Sequence, residues 1–482
     1  MLFNSYDFLW FFPTAFLIYW SLRNHLKAQN TVLVALSYLF YGWCDPRFLA
    51  LIVGITAIGF ASGLGMSAWN NNPHARKTVR NLGIVACLFI LALFKYFDFF
   101  TAELNALLLA CGGNHPIPLL HWVLPVGISF YTFQVASYIA DVHRRTIQPC
   151  RSAIDFAAFV SFFPQLVAGP IERASDLLPQ ISCKRHLTYT DMTEGFKLML
   201  WGYVKKMWLA DQCAPLVSQI FASGSPTGAD LWTASFLFAF QIYGDFSGYS
   251  DIAIGAARMF GIHLTRNFNR PYLATSIPEF WRRWHISLMK WFKDYVYIPL
   301  GGSHRGKWQK CRNTCIVFLT SGLWHGANWT FVAWGLLQFI GFLPDILLNR
   351  RKERKETALH EKSQKTFIGQ LKIGMQTIGV FLFICIGWVI FRSENISQAC
   401  SFIHTMLTES PVAKPFCGFS SFIPAGVVLG AEWATRKRSH TLDFKGHGLL
   451  KYRAFRWSIY YALMFIILRW GGQQSQFIYF QF

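Results

Sequence analysis

The sequence predicts an all-α polytopic membrane protein with about 11 transmembrane helices and some re-entrant or short helices. The chain of 482 residues is 53% hydrophobic, 17% aromatic and only 14% charged, a balance too apolar for a soluble enzyme of this length. Apolar runs long enough to span a bilayer recur along it. The formal charge of +21 comes from short basic clusters between these runs. That distribution favours the positive-inside pattern over nucleic-acid binding.

The apolar runs differ in length and regularity. They lie near residues 5–22, 31–43, 47–68, 81–100, 121–140, 153–170, 193–213, 230–260, 313–345, 372–391, 413–431 and 457–470. The run at 153–170 contains Pro164 and ends in Gly169-Pro170, so we expect a kinked or re-entrant element that is buried in protein. The first run lacks a basic leader and a small-residue cleavage site, so we expect it to be retained as a helix.

The basic clusters predict the orientation of the chain. Those expected to face the cytoplasm lie at 23–27, 76–80, 144–151, 184–185, 350–365 and 436–456. The chain would leave through 372–391, return through 413–431, and leave again through 457–470. The segment 350–366 is then a solvated cytoplasmic linker, and the C-terminal tail, 471–482, lies outside the cytoplasm. The whole chain, 1–482, is expected to form one membrane-embedded domain with its catalytic core near 240–345.

The eleven cysteines are scattered, and many lie within apolar runs. The closest pair, Cys311 and Cys315, lacks partners at zinc-site spacing. We expect free thiols that pack as small hydrophobes, and no bound metal.

Between Gly244 and Trp334, ionisable residues are interleaved with tryptophan and tyrosine. Such groups are tolerated among apolar spans when they pair with each other, lie at the cytoplasmic interface or line a wet cavity. Asp245 and Asp251 are expected to pair with arginines. Arg282 and Arg283 have two possible roles. They could bind a phosphorylated cytosolic ligand, or they could extend to the lipid headgroups.

Two histidines in this region are the candidate catalytic residues. His325 follows an apolar approach that ends in Trp324, and a histidine inside a membrane is costly and therefore usually functional. With an ordinary pKa of about 6.5, it can take a proton from an attacking hydroxyl. Asn328, three residues on, is expected on the same helical face as an orienting or carbonyl-binding group. For His325 and for His285, a simple hydrogen bond between helices remains the alternative.

Four segments together resemble the signature of the membrane-bound O-acyltransferase superfamily. They are NFNRPY (267–272), PEFWRRWHISL (278–288), DYVYIPLGG (294–302) and LWHGANW (323–329). Within the superfamily, the chain is similar to the bacterial branch of alginate O-acetylation, peptidoglycan O-acetylation and teichoic acid D-alanylation. The similarity covers nearly the whole chain.

The resemblance implies a ring of helices around a thin central region with a catalytic funnel or tunnel. It implies that His325 is the catalytic histidine and His285 a second functional histidine. Beside these, Trp324, Arg270, Arg282 and Arg283 are candidate orienting or substrate-binding residues. The resemblance also implies location in the bacterial inner membrane, acetyl-CoA as acyl donor without a bound cofactor, and an esterase-fold partner outside the cytoplasm.

The last residues also resemble a family motif. Related systems end in a Phe-x-Tyr-x-x-Phe sequence whose tyrosine is proposed to carry the acyl group, and Tyr479 matches that tyrosine in the tail FIYFQF (477–482). Packing of the aromatic tail at the interface is the alternative.

The function expected is transfer of acetyl to a polysaccharide outside the cytoplasm, such as alginate or peptidoglycan. D-alanyl transfer from a carrier protein, a transporter and an inactive scaffold are the alternatives, and the sequence does not distinguish the acceptors.

Overall fold

The computed structural model confirms the predicted all-helical class, since the residues it describes form helices, turns and loops without a strand. It describes the chain except residues 114–115, 305, 349–365, 412–416, 445–447, 472–474, 476 and 479–482, and the side chain of Leu449. The predicted cytoplasmic linker, 350–366, therefore lies outside the described residues except for Thr366. The chain divides into two compact units. The N-terminal unit comprises 1–199 and 249–265, and the C-terminal unit comprises 200–248 and 266–482.

The N-terminal unit consists of helices and their connecting loops. Its helices are α1 (Tyr6–Ser21), α2 (Leu26–Gly42), α3 (Phe48–Ala68), α4 (Pro73–Lys95), α5 (Phe97–Ala110), α6 (Ile128–Arg144), α7 (Ala153–Ser161), α8 (Phe163–Leu166), α9 (Ala174–Ser182) and most of α10 (Tyr189–Tyr203). It also contains the last residues of α12 (Gly228–Met259).

The broken element predicted at 153–170 is present and buried. Helix α7 ends at Ser161 and the single turn α8 starts at Phe163. The break exposes backbone groups that would be costly in an apolar interior, and side chains satisfy them. The carbonyl of Phe159 accepts hydrogen bonds from Gln134 (2.8 Å) and Gln165 (2.9 Å), and the N–H of Phe163 donates to the Ser37 hydroxyl.

The C-terminal unit contains the remaining elements. They are a π-helical segment (Val204–Ala210), α11 (Asp211–Phe221), the larger part of α12, α13 (Ile277–Arg283), α14 (Ile286–Phe292), a second π-helical segment (Lys293–Tyr297), α15 (Lys307–His325), α16 (Trp329–Leu347), α17 (Phe367–Arg392), α18 (Ile396–Thr408), α19 (Ile423–Ala434) and α20 (Arg453–Trp470). Short 3₁₀ turns lie at Pro271–Leu273, Phe419–Phe422 and Gly448–Lys451.

Four helices among the described residues are long and apolar enough to cross a membrane. They are α3, α4, α16 and α17, with mean hydropathies of 1.5 to 2.1 over their best 18-residue windows. This agrees with a multi-pass membrane protein, and the predicted number of about 11 spans stays a prediction.

Helices α15 and α16 form a tight antiparallel pair that carries His325 at its turn. The apolar run 313–345, expected as one stretch, is divided here, because α15 ends at His325 and α16 starts at Trp329. Glycines allow the backbones to approach. A Cβ at Gly322 would collide with the carbonyl oxygen of Phe331, and one at Gly335 would collide with that of Phe318.

Candidate active site

His325 is the last residue of α15, and aromatic rings enclose its imidazole. The residue is 6% exposed. Its ring centroid lies 4.9 Å from that of Trp324, 5.1 Å from Trp334 on α16 and 5.3 Å from Phe391 on α17. Three helices therefore hold a titratable side chain in an apolar box, the setting in which such a group is usually functional.

His285 lies in the short connection between α13 and α14, where its backbone is strained. It has a φ of +43°, a left-handed conformation that is uncommon for residues other than glycine. Such strain persists only where the surroundings enforce it, and it is frequent at functional sites. The connection is fixed by backbone hydrogen bonds from Asn269 N to Arg283 O (2.8 Å) and from Ile286 N to Asn267 O (2.9 Å).

Asn267 determines which ring nitrogen of His285 carries the hydrogen. The Oδ1 atom of Asn267 accepts hydrogen bonds from the N–H of Ser287 (3.3 Å) and from its hydroxyl (2.9 Å), so the Asn267 amide is oriented with Oδ1 toward this turn. The Nδ1 atom of His285 lies 3.1 Å from the same oxygen. An amide oxygen only accepts, so Nδ1 carries the hydrogen and Nε2 of the neutral ring carries the lone pair. His285 thus presents Nε2 as a hydrogen-bond acceptor.

Trp324 joins the two histidines. Its ring centroid lies 5.8 Å from that of His285 and 4.9 Å from that of His325. Phe246 contacts the other side of His285, with centroids 4.7 Å apart in an edge-to-face arrangement. The structure therefore brings the predicted residues His285, Trp324 and His325 into one aromatic cluster.

Helix α13, which precedes His285, starts with a local capping arrangement. The Ser276 hydroxyl accepts a hydrogen bond from Glu279 N, and the Glu279 carboxylate accepts hydrogen bonds from Thr275 N and Oγ1, each at 2.8 Å. Arg283 donates to the same carboxylate at 2.5 Å. Burial raises the pKa of Glu279, but the bonds from Thr275 and the charge of Arg283 outweigh it and hold that pKa below its ordinary value. Arg283 thus stabilises the start of α13 through its ion pair with Glu279.

A basic cavity lies beside α13, α15 and α16. It has a volume of about 540 Å³, and its charged lining residues are Arg282, Lys293, Lys310 and Asp345. Phe318 of α15 forms part of its wall, and its ring lies 5.6 Å from Trp281. Trp281 lies 5.6 Å from Trp334, which contacts His325. A chain of aromatic contacts therefore connects this basic cavity with the rings that enclose His325.

Arg270, the third candidate arginine, is buried and has a structural environment. Its guanidinium donates hydrogen bonds to the carbonyls of Arg436 (3.3 Å) and Arg438 (3.2 Å) and to the hydroxyl of Thr435 (3.4 Å). These bonds fasten the turn after Asn267 to the C-terminal end of α19. Of the candidate arginines, Arg282 lines the basic cavity, whereas Arg270 and Arg283 stabilise the backbone around His285.

Asn328 does not lie on one helical face with His325, because α15 ends before it. Asn328 is the N-cap of α16: its Oδ1 accepts from Thr330 N at 3.0 Å, and its Nδ2 donates to the carbonyl of Glu394 at 2.8 Å. The expectation of a shared face is therefore wrong. The side chain satisfies the start of α16 and ties it to the segment after α17.

The expected pairing of Asp245 with an arginine is also wrong. Its Oδ1 lies 2.8 Å from Nζ of Lys206, a residue of the first π-helical segment.

Tyr479, the candidate acyl carrier, lies outside the described residues, but Phe477 and Ile478 just before it are buried.

Several residues of the site were not singled out from the sequence. Trp334, Phe391 and Trp388 complete the aromatic surroundings of His325, and Asn267 orients His285. Asn267 begins the segment NFNRPY (267–272), which resembles part of the family signature, so the sequence did mark this position. The tryptophans and Phe391 lie in apolar spans, where an aromatic residue is unremarkable until its neighbours are known.

Fold and site together define a polytopic helical membrane protein with a buried pair of histidines, connected by aromatic contacts to a basic cavity. Comparison with known proteins agrees. The family model for the membrane-bound O-acyltransferase (MBOAT) family matches residues 66–388, more than half of the chain.

Named relatives match over most of the chain. A probable alginate O-acetylase of Azotobacter vinelandii is 40% identical over 83% of this chain and 76% of the relative. A peptidoglycan O-acetyltransferase of Helicobacter pylori is 33% identical over 84% of this chain and 80% of the relative. A teichoic acid D-alanyltransferase of Streptococcus thermophilus is 27% identical over 54% of this chain and 65% of the relative.

The chain belongs to the membrane-bound O-acyltransferase family. It is a multi-pass membrane enzyme, an O-acyltransferase. The transporter and inactive-scaffold alternatives are therefore set aside.

Proposed function

We propose that this enzyme takes acetyl from cytosolic acetyl-CoA and passes it across the bacterial inner membrane for O-acetylation of a polysaccharide. The observation that carries the proposal is the histidine pair bridged by Trp324 and connected through aromatic contacts to the basic cavity. The relatives that match over more than four fifths of the chain are named as O-acetylating enzymes.

The basic cavity is the proposed entry for the donor. Arg282, Lys293 and Lys310 give it three positive charges against one negative charge, that of Asp345. Guanidinium and ammonium groups bind phosphate oxygens, and coenzyme A carries several phosphates. Binding the nucleotide end here would direct the thioester arm along Phe318 in the cavity wall, toward Trp281. The protein would thereby supply proximity as well as a base.

His325 acts as the general base in this proposal. It removes the proton of an acceptor hydroxyl while that oxygen attacks the thioester carbonyl carbon. A C–O bond forms, the C–S bond breaks, and the proton held by His325 passes to the departing sulfur. His285, whose Nε2 carries a lone pair, accepts a hydrogen bond from a group in the reacting complex and so positions it.

Tyr479 is the proposed acceptor of the acetyl group. A tyrosine hydroxyl has a pKa of about 10 and attacks poorly until a base removes its proton. An ester on Tyr479 would retain the acetyl group for a second transfer to a sugar hydroxyl, which returns the free tyrosine. A soluble esterase-fold partner outside the cytoplasm would catalyse that second step.

D-alanyl transfer is the second candidate, because one relative is named for it. That relative matches a little more than half of this chain at lower identity, whereas the O-acetylating relatives match over four fifths of it. Acetyl is therefore the group we propose.

The donor is tested with purified full-length protein in lipid nanodiscs. We expect release of free coenzyme A from acetyl-CoA, with acetyl retained on the protein, as measured by thiol titration and intact mass. Lys310→Ala should raise KM for acetyl-CoA about 10-fold with kcat little changed, because a lost charged contact costs about 1.4 kcal/mol or more. Lys372→Ala, an exposed lysine on α17, is the matched control.

Two results would contradict the donor assignment. One is no release of coenzyme A by wild-type protein, together with acylation by a D-alanyl carrier protein. The other is an equal KM for acetyl-CoA in the Lys310 and Lys372 variants, because it would place the coenzyme elsewhere.

A further inference from the structure

A cluster of three buried charges lies in the C-terminal unit, apart from the histidine pair. Lys206, Asp211 and Asp245 have side chains that are at most 3% exposed. The Lys206 ammonium lies 2.8 Å from Asp211 Oδ1 and 2.8 Å from Asp245 Oδ1. We call these three residues the charge cluster. Buried ions are costly unless they are paired and hydrogen-bonded, so the partners of these three side chains decide whether the cluster is stable.

The C-terminal tail completes the hydrogen bonding of the charge cluster. The Ser475 hydroxyl donates to Asp211 Oδ1, and the Ser475 carbonyl accepts from Lys206 Nζ at 3.2 Å. The backbone N–H of Ile478 donates to Asp245 Oδ2 at 2.7 Å. Each member of the cluster therefore contacts the tail directly.

The charges of the cluster favour a ligand that brings hydrogen-bond donors. Two carboxylates face one ammonium, which leaves one excess negative charge in a buried place. The tail supplies two donors, one to each carboxylate, and a hydrogen bond to a charged group contributes about 1.5–3 kcal/mol. Without the tail, both carboxylates would lose a buried partner, and leaving such a group unsatisfied is costly.

The backbone is shaped to bring Lys206 to this position. Lys206 lies in the π-helical segment Val204–Ala210, a rare helix form that is frequent at functional sites. Glycines of α12 permit α12 to pack closely against it. A Cβ at Gly248 would meet the N atom of Lys206 at 2.9 Å, and one at Gly244 would meet the carbonyl of Lys205 at 2.7 Å.

The bound tail lies next to the histidine site. Phe477 and Ile478 are each 1% exposed. The Phe477 ring lies 6.2 Å from that of Phe246, which in turn lies 4.7 Å from His285. Phe246 directly follows Asp245, so one short stretch of α12 both binds the tail and contacts the candidate catalytic histidine.

We propose that the charge cluster is a docking site for the chain's own C-terminal segment and positions that segment beside His285. Lys206, Asp211 and Asp245 are positioning residues, because they act through the tail that they hold. The docking stands on the contacts alone, whereas its role in acetyl transfer rests on the proposed function.

Backbone amide exchange of the tail tests the docking. Deuterium uptake of the peptide covering 471–482 would be measured by mass spectrometry on the full-length protein in nanodiscs. Asp245→Ala removes the acceptor of the Ile478 N–H, and Glu432→Ala removes another buried carboxylate of the same unit, one that accepts from Tyr243. Ser475→Ala removes the tail hydroxyl and leaves the charge cluster intact, whereas Ser475→Thr retains a hydroxyl.

We expect Asp245→Ala and Ser475→Ala to speed exchange of the tail about 10-fold or more, since each lost bond to a charged group costs over 1.4 kcal/mol. Glu432→Ala and Ser475→Thr should exchange like wild type. Wild-type exchange in both Asp245→Ala and Ser475→Ala would overturn the proposal. So would equal acceleration in Glu432→Ala, because it would mean general loosening of the unit.

Activity is measured separately in the same variants. If the tail takes part in transfer, Asp245→Ala and Ser475→Ala should lower polysaccharide acetylation, and Ser475→Thr should restore it. Normal acetylation with a released tail would overturn the positioning role while the docking stands. A wild-type protein that protects its tail but transfers no acetyl would contradict the proposed function alone.

Discussion

At the scale of single residues, Asn267 fixes the chemistry of His285. Its amide oxygen is held in place by Ser287 and receives the Nδ1 hydrogen, which leaves Nε2 as an acceptor. The backbone of His285 is left-handed at this turn. Partners of this kind orient a functional histidine without touching the substrate.

Asn267→Ala should lower kcat for acetyl transfer about 10-fold or more with KM for acetyl-CoA nearly unchanged, because the imidazole loses its fixed tautomer and orientation. Asn267→Asp keeps an acceptor for Nδ1 and should recover part of the rate. Asn395→Ala, at the start of α18, is the control. Steady-state kinetics in nanodiscs measure the effect, and an unchanged kcat in Asn267→Ala would refute this role.

The sequence singled out the two histidines and Trp324 because two motifs contain them, and the structure brings the three together. The sequence did not predict the partners of His285 and Asp245, since Asn267 lies 18 positions before His285 and Lys206 lies 39 positions before Asp245. Such pairs form through tertiary packing, which local pattern does not specify. The prediction that His325 and Asn328 share a helical face is wrong because it continues α15 to Asn328, whereas α15 ends at His325.

At the scale of elements, the α15–α16 pair sets the position of His325. Close approach of the two helices depends on Gly322 and Gly335, each of which faces a backbone carbonyl across the interface. Small residues at such contacts are typical of helix packing in membranes. Trp334 lies one position before Gly335, so the same contact places the ring against His325.

Gly335→Val should destabilise the protein by about 1–3 kcal/mol and lower activity, because the added side chain forces α15 and α16 apart. Gly379→Val on α17 is a matched control, since nothing lies within 4 Å of a Cβ there. Thermal unfolding in detergent measures the difference. Equal melting temperatures for the two variants would contradict the packing account.

Hydropathy predicted several elements well and some boundaries poorly. It placed apolar runs over α3, α17 and the kinked 153–170 element, where length and Pro164 carried the signal. It merged α15 and α16 into one run, because their turn, Gly326 to Asn328, is too short to lower the average. The capping asparagine, Asn328, was the local sign of that boundary.

At the scale of the whole molecule, the positive-inside pattern predicts which ends of the chain face the cytoplasm. It places the linker at 350–366 inside and the C-terminus outside. The proposed transfer across the membrane requires this polarity, since the proposed donor is cytosolic and the proposed acyl carrier, Tyr479, follows the last helix.

Reporter fusions test this orientation. Alkaline phosphatase fused after Phe482 should be active and green fluorescent protein fused there should be dark, because the first matures outside the cytoplasm and the second inside it. Fusions at Thr357 in the linker should give the opposite pattern. A fluorescent C-terminal fusion would refute the predicted topology.

We propose that His325 performs the acyl transfer of this membrane enzyme. In cells that lack the native protein, His325→Ala should abolish polysaccharide O-acetylation while membrane levels of the protein stay normal. His404→Ala, an exposed histidine of α18, should acetylate like wild type. The measurement is the ester-linked acetate of the purified polymer beside an immunoblot of the membrane fraction. Acetylation retained in His325→Ala at normal protein levels would contradict the account.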